Sequence, residues 1–375
     1  MAFAASFALF LSMAVMSPLL DALVRQPFAV GNREAGWFMS ANGLATLLFS
    51  VAAGWLGDRL GRLRMLVFAL LMTALCFALL PWIRDFQLLL LCRFVGGIFD
   101  CSAQVLLLSW VVGEVATERR FVAIAAVTAG LPATYLVGPA VVAGVGSEGL
   151  WALFAAISAI MVGSGILLML FGRENPAREE ARLPLSALRP HAGALAVPIV
   201  FGMVDKFTFA AIALLIGPLV TEIHGLTAGT DSGWLLTGFW AAFLPAMAFA
   251  PAFYRRFGYL VPMAVASIAY GATLAAMPFT NFRGAQVTMA GAGVLTALMY
   301  LPSLMLLTQR CPPALRGTAM GFYNTLGTGA MILGFAVTGT LSDQNLTAAW
   351  MLPGALELAC GGALLAILWL GKHSQ

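Results

Sequence analysis

The sequence predicts an all-α membrane protein of twelve transmembrane helices, arranged as two pseudo-symmetric halves of six. Three observations predict it. Of 375 residues, 61% are hydrophobic and only 10% charged, with a mean hydropathy of +0.93. An ordinary soluble domain carries about 25% charged residues, so this chain cannot cover a soluble surface. The apolar runs are also long and continuous, as in 63–81 and 151–171. A membrane barrel would give short alternating segments, and helices satisfy their own backbone across such runs. Finally, a crossing needs ~20 apolar residues, and the length leaves roughly 31 per crossing for twelve. The same composition excludes a disordered chain and a nucleic-acid partner.

Charges, Pro and Gly punctuate the runs. Span 1 (4–25) carries Asp21 and has no basic leader, so it reads as a retained span and not a cleaved signal. Span 2 (34–56) ends at Gly57-Asp58-Arg59, and span 3 (63–83) starts after Gly61-Arg62. Spans 4 (86–113), 5 (119–144) and 6 (150–171) are separated by Glu114 to Arg120 and by Gly144 to Gly149. A polar stretch, 172–190, divides this first half (1–171) from the second (191–375). Spans 7 (192–221), 8 (232–254) and 9 (259–279) break at Glu222 to Asp231 and at Arg255 to Gly258. Spans 10 (284–309), 11 (314–340) and 12 (347–371) break at Arg310 to Pro313 and at Asp343 to Asn345.

Lys and Arg set the orientation. With the N-terminus in the cytoplasm, fourteen of the 20 basic residues fall in inner loops or the C-terminus, four in outer loops, and Arg93 and Lys206 inside spans. That split places both termini in the cytoplasm. The five cysteines form no CxxC pair, and most lie in apolar runs, as buried small hydrophobes do. The three histidines are scattered, so no metal site is expected.

The halves echo each other. A shift of 197 residues places Arg256 on Arg59, Gly258 on Gly61 and Arg316 on Arg119. Coincidences at one offset mark a duplicated six-span unit.

The segment between spans 2 and 3 reads Gly54-Trp55-Leu56-Gly57-Asp58-Arg59-Leu60-Gly61-Arg62. It resembles the signature of the major facilitator superfamily, and the likeness of span number, 6+6 repeat and central loop extends over essentially the whole chain. The resemblance implies a secondary transporter working by alternating access, with this segment latching the halves on the cytoplasmic side. Glycines there permit close helix approach at a tight turn, and Asp58 can face a neighbouring helix N-terminus. The second copy departs from the pattern, with Arg255 in place of the acid and Tyr259 in place of the last Arg, which implies a weaker latch.

Two further segments are similar to the proton-driven efflux branch of that family. Arg93-Phe94-Val95-Gly96-Gly97 resembles its span 4 arginine motif. Gly130 and Gly138-Pro139, with Gly144 beyond, resemble a loosened form of its span 5 antiporter motif, and Gly138-Pro139 marks an expected helix kink.

Charges inside spans are Asp21, Arg93, Asp100, Asp205, Lys206 and Glu357. Each costs at least ~2.5–3.5 kcal/mol at a helix centre and so needs a reason. In the resembled family spans 1, 4, 7 and 10 line the cavity, and all but Glu357 fall on those spans. Depth at ~1.5 Å per residue suggests two couples, Asp21 with Arg93 and Asp100 with Lys206, with Asp205 adjacent. Burial raises a carboxyl pKa and a nearby cation lowers it, so such acids can be poised to exchange protons. The plainer alternative is that these pairs only lock the bundle. Glu357, on a peripheral span, reads as a protonated or locally hydrogen-bonded acid.

Polar amides inside spans are few, which argues against a sugar ligand, while Phe, Trp and Met are abundant. Most of these aromatics belong to lipid or helix contacts. Gln104, Phe207, Phe209, Gln286 and Tyr300 are the candidate substrate contacts. The expected substrate is a small amphipathic or aromatic compound, exported against protons, with no cofactor other than the proton gradient. The expected setting is a monomer in a lipid bilayer, a bacterial inner membrane. An importer of a small organic anion, anchored by Arg93 or Lys206, and a lysolipid flippase are the alternatives. No HExxH, Ser–His or GxxxxGK[ST] pattern supports an enzyme or a nucleotide-driven pump.

Overall fold

The computed structural model describes residues 2–114, 120–145, 149–173, 185–312 and 315–373. Long helices follow one another through them. In the first half they are α1 (Ala2–Phe28), α2 (Asn32–Leu60), α3 (Arg62–Trp82), α4 (Phe86–Glu114), α5 (Arg120–Val145) and α6 (Leu150–Phe171). In the second they are α7 (Ala192–Pro218), α8 (Thr230–Phe257), α9 (Leu260–Phe279), α10 (Phe282–Gln309), α11 (Arg316–Ser342) and α12 (Leu346–His373). The expected fold class is therefore the observed one. Among the described residues, 10 helices hold stretches long and apolar enough to cross a membrane. The others are α2, which is polar at both ends, and α5, whose apolar stretch Gly130–Val145 is shorter.

The chain divides into two compact units: Met1–Glu180 with Thr227–Thr237, and Ala181–Leu226 with Gly238–Gln375. Inside the first, α1 packs along α5, α2 along α4, and α3 along both α4 and α6. Inside the second, α7 packs along α11, and α9 along both α10 and α12. Shifting the helix numbers by six turns three of the first unit's pairings (α1 with α5, α3 with α4, α3 with α6) into those of the second.

The joints repeat too. Gly61 alone separates α2 from α3 with φ 101, and Gly258 stands between α8 and α9 with φ 72. A side chain disfavours both conformations, which is why the 197-residue shift pairs glycine with glycine. At the other end of the repeat, the Leu88 amide donates to Asp85 Oδ1 at 2.8 Å, and the Gly284 amide donates to Asn281 Oδ1 at 2.8 Å. Each is a polar side chain capping the first turn of α4 or α10.

Both first helices end in a wide turn. Asp21–Arg25 of α1 is π-helical, and so is Leu219–Ile223, which continues α7. A π turn holds one residue more than the α-helical turn it replaces, and such turns frequently sit at functional sites.

Small residues set the helix spacing. A Cβ on Gly97 would meet Asn42 Cα at 2.9 Å and Ala45 Cβ at 3.0 Å, and one on Gly96 would meet Cys76 Cβ at 3.2 Å. The Gly96-Gly97 pair thus seats α4 against α2 with one glycine and against α3 with the other. Gly138 does the same for α5 on α1, facing Ala14 Cβ at 2.9 Å. α5 is continuous past both Pro132 and Pro139.

Candidate functional site

The first-half charges gather on α4. Arg93 and Asp100 are two turns apart on nearly one face, and they are 7% and 3% exposed. Both line a small pocket together with Ser12, Asn42, Thr73, Cys76, Phe77, Leu80 and Cys92. Gln104 Nε2 donates to Asp100 Oδ2 at 3.2 Å. Arg93 Nε and Asp100 Oδ1 are buried and have no protein hydrogen-bond partner. Arg93 also lies over the Phe38 ring, 5.4 Å from its centroid. A buried acid and a buried base therefore line one small pocket, each with one polar atom that no protein group satisfies.

Asp21 does not join them. Its partner is Arg25, one turn further on α1, with Nη1 to Oδ1 at 2.5 Å. The expected Asp21–Arg93 couple is corrected to Asp21–Arg25, and Arg93 shares its cavity with Asp100 instead. The reason is local: a residue four positions away on the same helix reaches the acid with little ordering, whereas depth alone does not bring two helices' side chains face to face.

The second-half charges sit on α7. Lys206 Nζ donates to Asn324 Oδ1 on α11 at 3.2 Å and stands 5.9 Å from the Tyr323 ring centroid. Asp205 is partly buried beside it. Ser303 Oγ and the Tyr323 hydroxyl share a hydrogen bond at 3.3 Å. Glu357 of α12, 1% exposed, takes hydroxyl contacts from two other helices: Thr208 Oγ1 of α7 at 3.2 Å and Ser267 Oγ of α9 at 2.6 Å. It is a hydrogen-bonded acid, one of the two readings its sequence position allowed.

Two of the aromatic candidates, Phe209 and Tyr300, are joined into a row by the buried rings of Trp240 and Phe243. Phe209 is 6.3 Å from Trp240, Trp240 is 5.0 Å from Phe243, and Phe243 is 6.4 Å from Tyr300, ring centroid to ring centroid. These residues come from α7, α8 and α10. Phe207 is partly buried, and its carbonyl would lie 2.7 Å from a Cβ on Gly334 of α11. Gln286 is exposed in the first turn and a half of α10, apart from the row. Gln104 belongs with Asp100, as described above.

The latch segment is placed in part. A Cβ on Gly57 would run into the Leu106 side chain of α4, and Arg62 Nη1 donates to the Ser109 carbonyl at 3.4 Å. Arg59 stacks on Trp55, 4.1 Å from the ring centroid, and Gly54 is buried. The Asp58 side chain lies outside the described residues, as do residues 174–184 of the linker.

Reasoning from sequence missed Ser267 and Thr208 as partners of Glu357, and Cys76 and Cys92 as cavity lining. No spacing in the sequence ties either hydroxyl to Glu357.

The sequence profile of the Major Facilitator Superfamily matches residues 2–335. No curated protein matches the chain in sequence. Among solved structures, a mutant of the nucleoside transporter NupG superposes with a TM-score of 0.79 at 14% identity, over 97% of this chain and 99% of that one. A bacterial homologue of the human lysosomal transporter Spinster, inward-facing and unoccupied, gives 0.74 at 15% identity, over 97% and 94%. A POT family transporter in complex with a thioalcohol-conjugated peptide gives 0.73 at 12% identity, over 100% and 96%.

Proposed function

The chain belongs to the Major Facilitator Superfamily, and from that premise we propose that it exports a small amphipathic or aromatic organic compound by alternating access, in exchange for protons. The observation that carries the reading is the cavity on α4. Asp100 is buried, lines a small pocket with room for about one water, and keeps Oδ1 without a protein partner. A carboxyl so placed can exchange a proton with whichever side the cavity admits. Arg93, in the same space, favours the proton's departure by attracting the anion left behind.

The aromatic row Phe209, Trp240, Phe243 and Tyr300 supports the substrate class, since flat apolar faces stack on such rings. NupG is by name a nucleoside transporter, and a nucleoside joins an aromatic base to a polar sugar. That chemistry lies within the proposed class. Gln104 has an acid to serve and Gln286 lies apart, so Tyr300 is the polar substrate contact with most support. The distribution of basic residues supports both termini in the cytoplasm, and the compact loops suit a monomer in a bacterial inner membrane.

One observation favours a second reading, an importer of a small organic anion. Among the described residues Lys206 has no carboxylate within 4.0 Å, and its ammonium is held by a neutral amide. A cation held that way keeps attraction to spare for an anion.

The test is proton flux in liposomes that enclose a pH-sensitive dye, with cationic, neutral and anionic amphiphiles added in turn. Compound-dependent proton movement that Asp100→Asn abolishes supports exchange. Compound movement without proton movement, unchanged in the variant, rejects it. A response confined to anions, lost in Lys206→Gln, selects the second reading.

A further inference from the structure

Glu357 lies on α12, outside the helices that carry the proposed exchange, yet it is the most completely buried acid described, at 1% exposed. Three oxygen–oxygen contacts meet there. Thr208 Oγ1 is 3.2 Å from Oε1, Ser267 Oγ is 2.6 Å from Oε2, and the same Ser267 Oγ is 2.8 Å from the Glu357 backbone carbonyl. Each contact needs a hydrogen between two oxygens. Thr208 and Ser267 bring one hydroxyl hydrogen each, and an ionised carboxylate and a carbonyl bring none. Three contacts and two hydrogens leave one contact bare unless the carboxyl supplies the third.

Charge gives the same answer independently. Among the described residues no Lys, Arg or His lies within 4.0 Å of Glu357, and an ionised carboxylate buried without a cation is strongly penalised. The titratable groups facing it are Asp205 from α7, Tyr270 from α9 and Cys360 on α12 itself. None of these is a cation. Lys206, beside Asp205, is turned to Asn324.

We propose that Glu357 is a proton-binding site of the second half, neutral in this structure, whose bound proton clasps α7 and α9 to α12. In the neutral form the carboxyl O–H donates to Ser267 Oγ, Ser267 donates to the Glu357 carbonyl, and Thr208 donates to Oε1. Every hydrogen then has one acceptor. When the proton leaves, Ser267 must choose between carbonyl and carboxylate, one contact becomes repulsive, and an unpaired anion faces Asp205, which lies three residues before Thr208 on α7. The clasp on α7, the helix that carries Asp205 and Lys206, is thereby tied to proton occupancy. The site needs no particular substrate or direction of transport.

The test is infrared difference spectroscopy on the purified full-length protein at neutral pH, with thermal melting alongside. The expected result is a neutral-carboxyl carbonyl band that Glu357→Gln removes and Asp205→Asn leaves in place. Ser267→Ala, which keeps the acid but removes its acceptor, should shift that band. Wild-type melting temperature should fall by several degrees on moving to alkaline pH, and that of Glu357→Gln, whose amide keeps a donor and an acceptor, should change less. A carboxylate band lost in Glu357→Gln, with the neutral-carboxyl region unchanged, overturns the proposal. If Glu357→Gln does not fold, an unshifted band in Ser267→Ala overturns it by itself.

Discussion

Lys206 donates to Asn324 Oδ1 at 3.2 Å, and its stem lies against Gly327, one turn further along α11. A Cβ at Gly327 would meet Lys206 Cδ at 2.5 Å and Cε at 3.0 Å. Gly327→Ala should push the flexible stem aside and weaken the bond to Asn324 by about 1 kcal/mol, with little loss of folding. Transport should slow several-fold while melting temperature stays close to wild type. Equal loss of both would mean that the glycine serves packing alone.

Glycines facing backbone should be less forgiving. A Cβ on Gly97 meets Asn42 Cα at 2.9 Å, and main chain cannot swing away. Gly97→Ala should destabilise by about 1–3 kcal/mol, read as a lower melting temperature. Gly144→Ala is the control. It alters a residue of the antiporter-like segment, yet a Cβ there meets nothing within 4 Å, so stability should not change.

The joints offer a paired comparison. Gly61→Ala and Gly258→Ala each force a side chain into a positive-φ conformation, at φ 101 and φ 72. Each should cost about 1–3 kcal/mol. If the repeat governs both halves, the two losses should be of similar size, and thermal melting of both variants checks it.

Double-mutant cycles separate the two possible partners of Asp21. The contact with Arg25 is short and local, and both side chains are largely shielded, at 11% and 10% exposed. Coupling of Asp21 with Arg25 should be about 1.5–3 kcal/mol, and coupling with Arg93 close to zero. The reverse ranking would restore the cross-helix couple.

The fold was legible because its causes are local. Hydropathy and charge bracket each helix, and the predicted span 2 ended at 56 while α2 runs on to Leu60 only because a helix does not stop where the hydrocarbon does. The Gly61 and Gly258 joints were legible as a shared offset, since a positive φ leaves its mark on residue type. The cavity was half legible: spacing put Arg93 and Asp100 on one face, but the thiols of Cys76 and Cys92 beside them read only as apolar filling. The Glu357 clasp was not legible. Ser267 and Thr208 are 90 and 149 residues away in sequence, and a lone serine or threonine in an apolar run carries no sign of what it will meet. The Asp21 pairing failed for the opposite reason, because a partner four residues away was overlooked in favour of a distant one at matching depth.

The wide turns at Asp21–Arg25 and Leu219–Ile223 make the winding of the chain at those points a setting of angle. Rewinding either into an ordinary α turn at unchanged length would rotate everything before it by about 100°. In α1 that would carry Ser6 away from the Val127 carbonyl, which it now reaches at 2.6 Å. In α7 it would swing Lys206 off Asn324 and Thr208 off Glu357 in one step. An interchange of π and α winding at these two places therefore acts as a re-aiming of the helix before it. It lets one helix present a different polar face to its neighbours without changing one buried side chain.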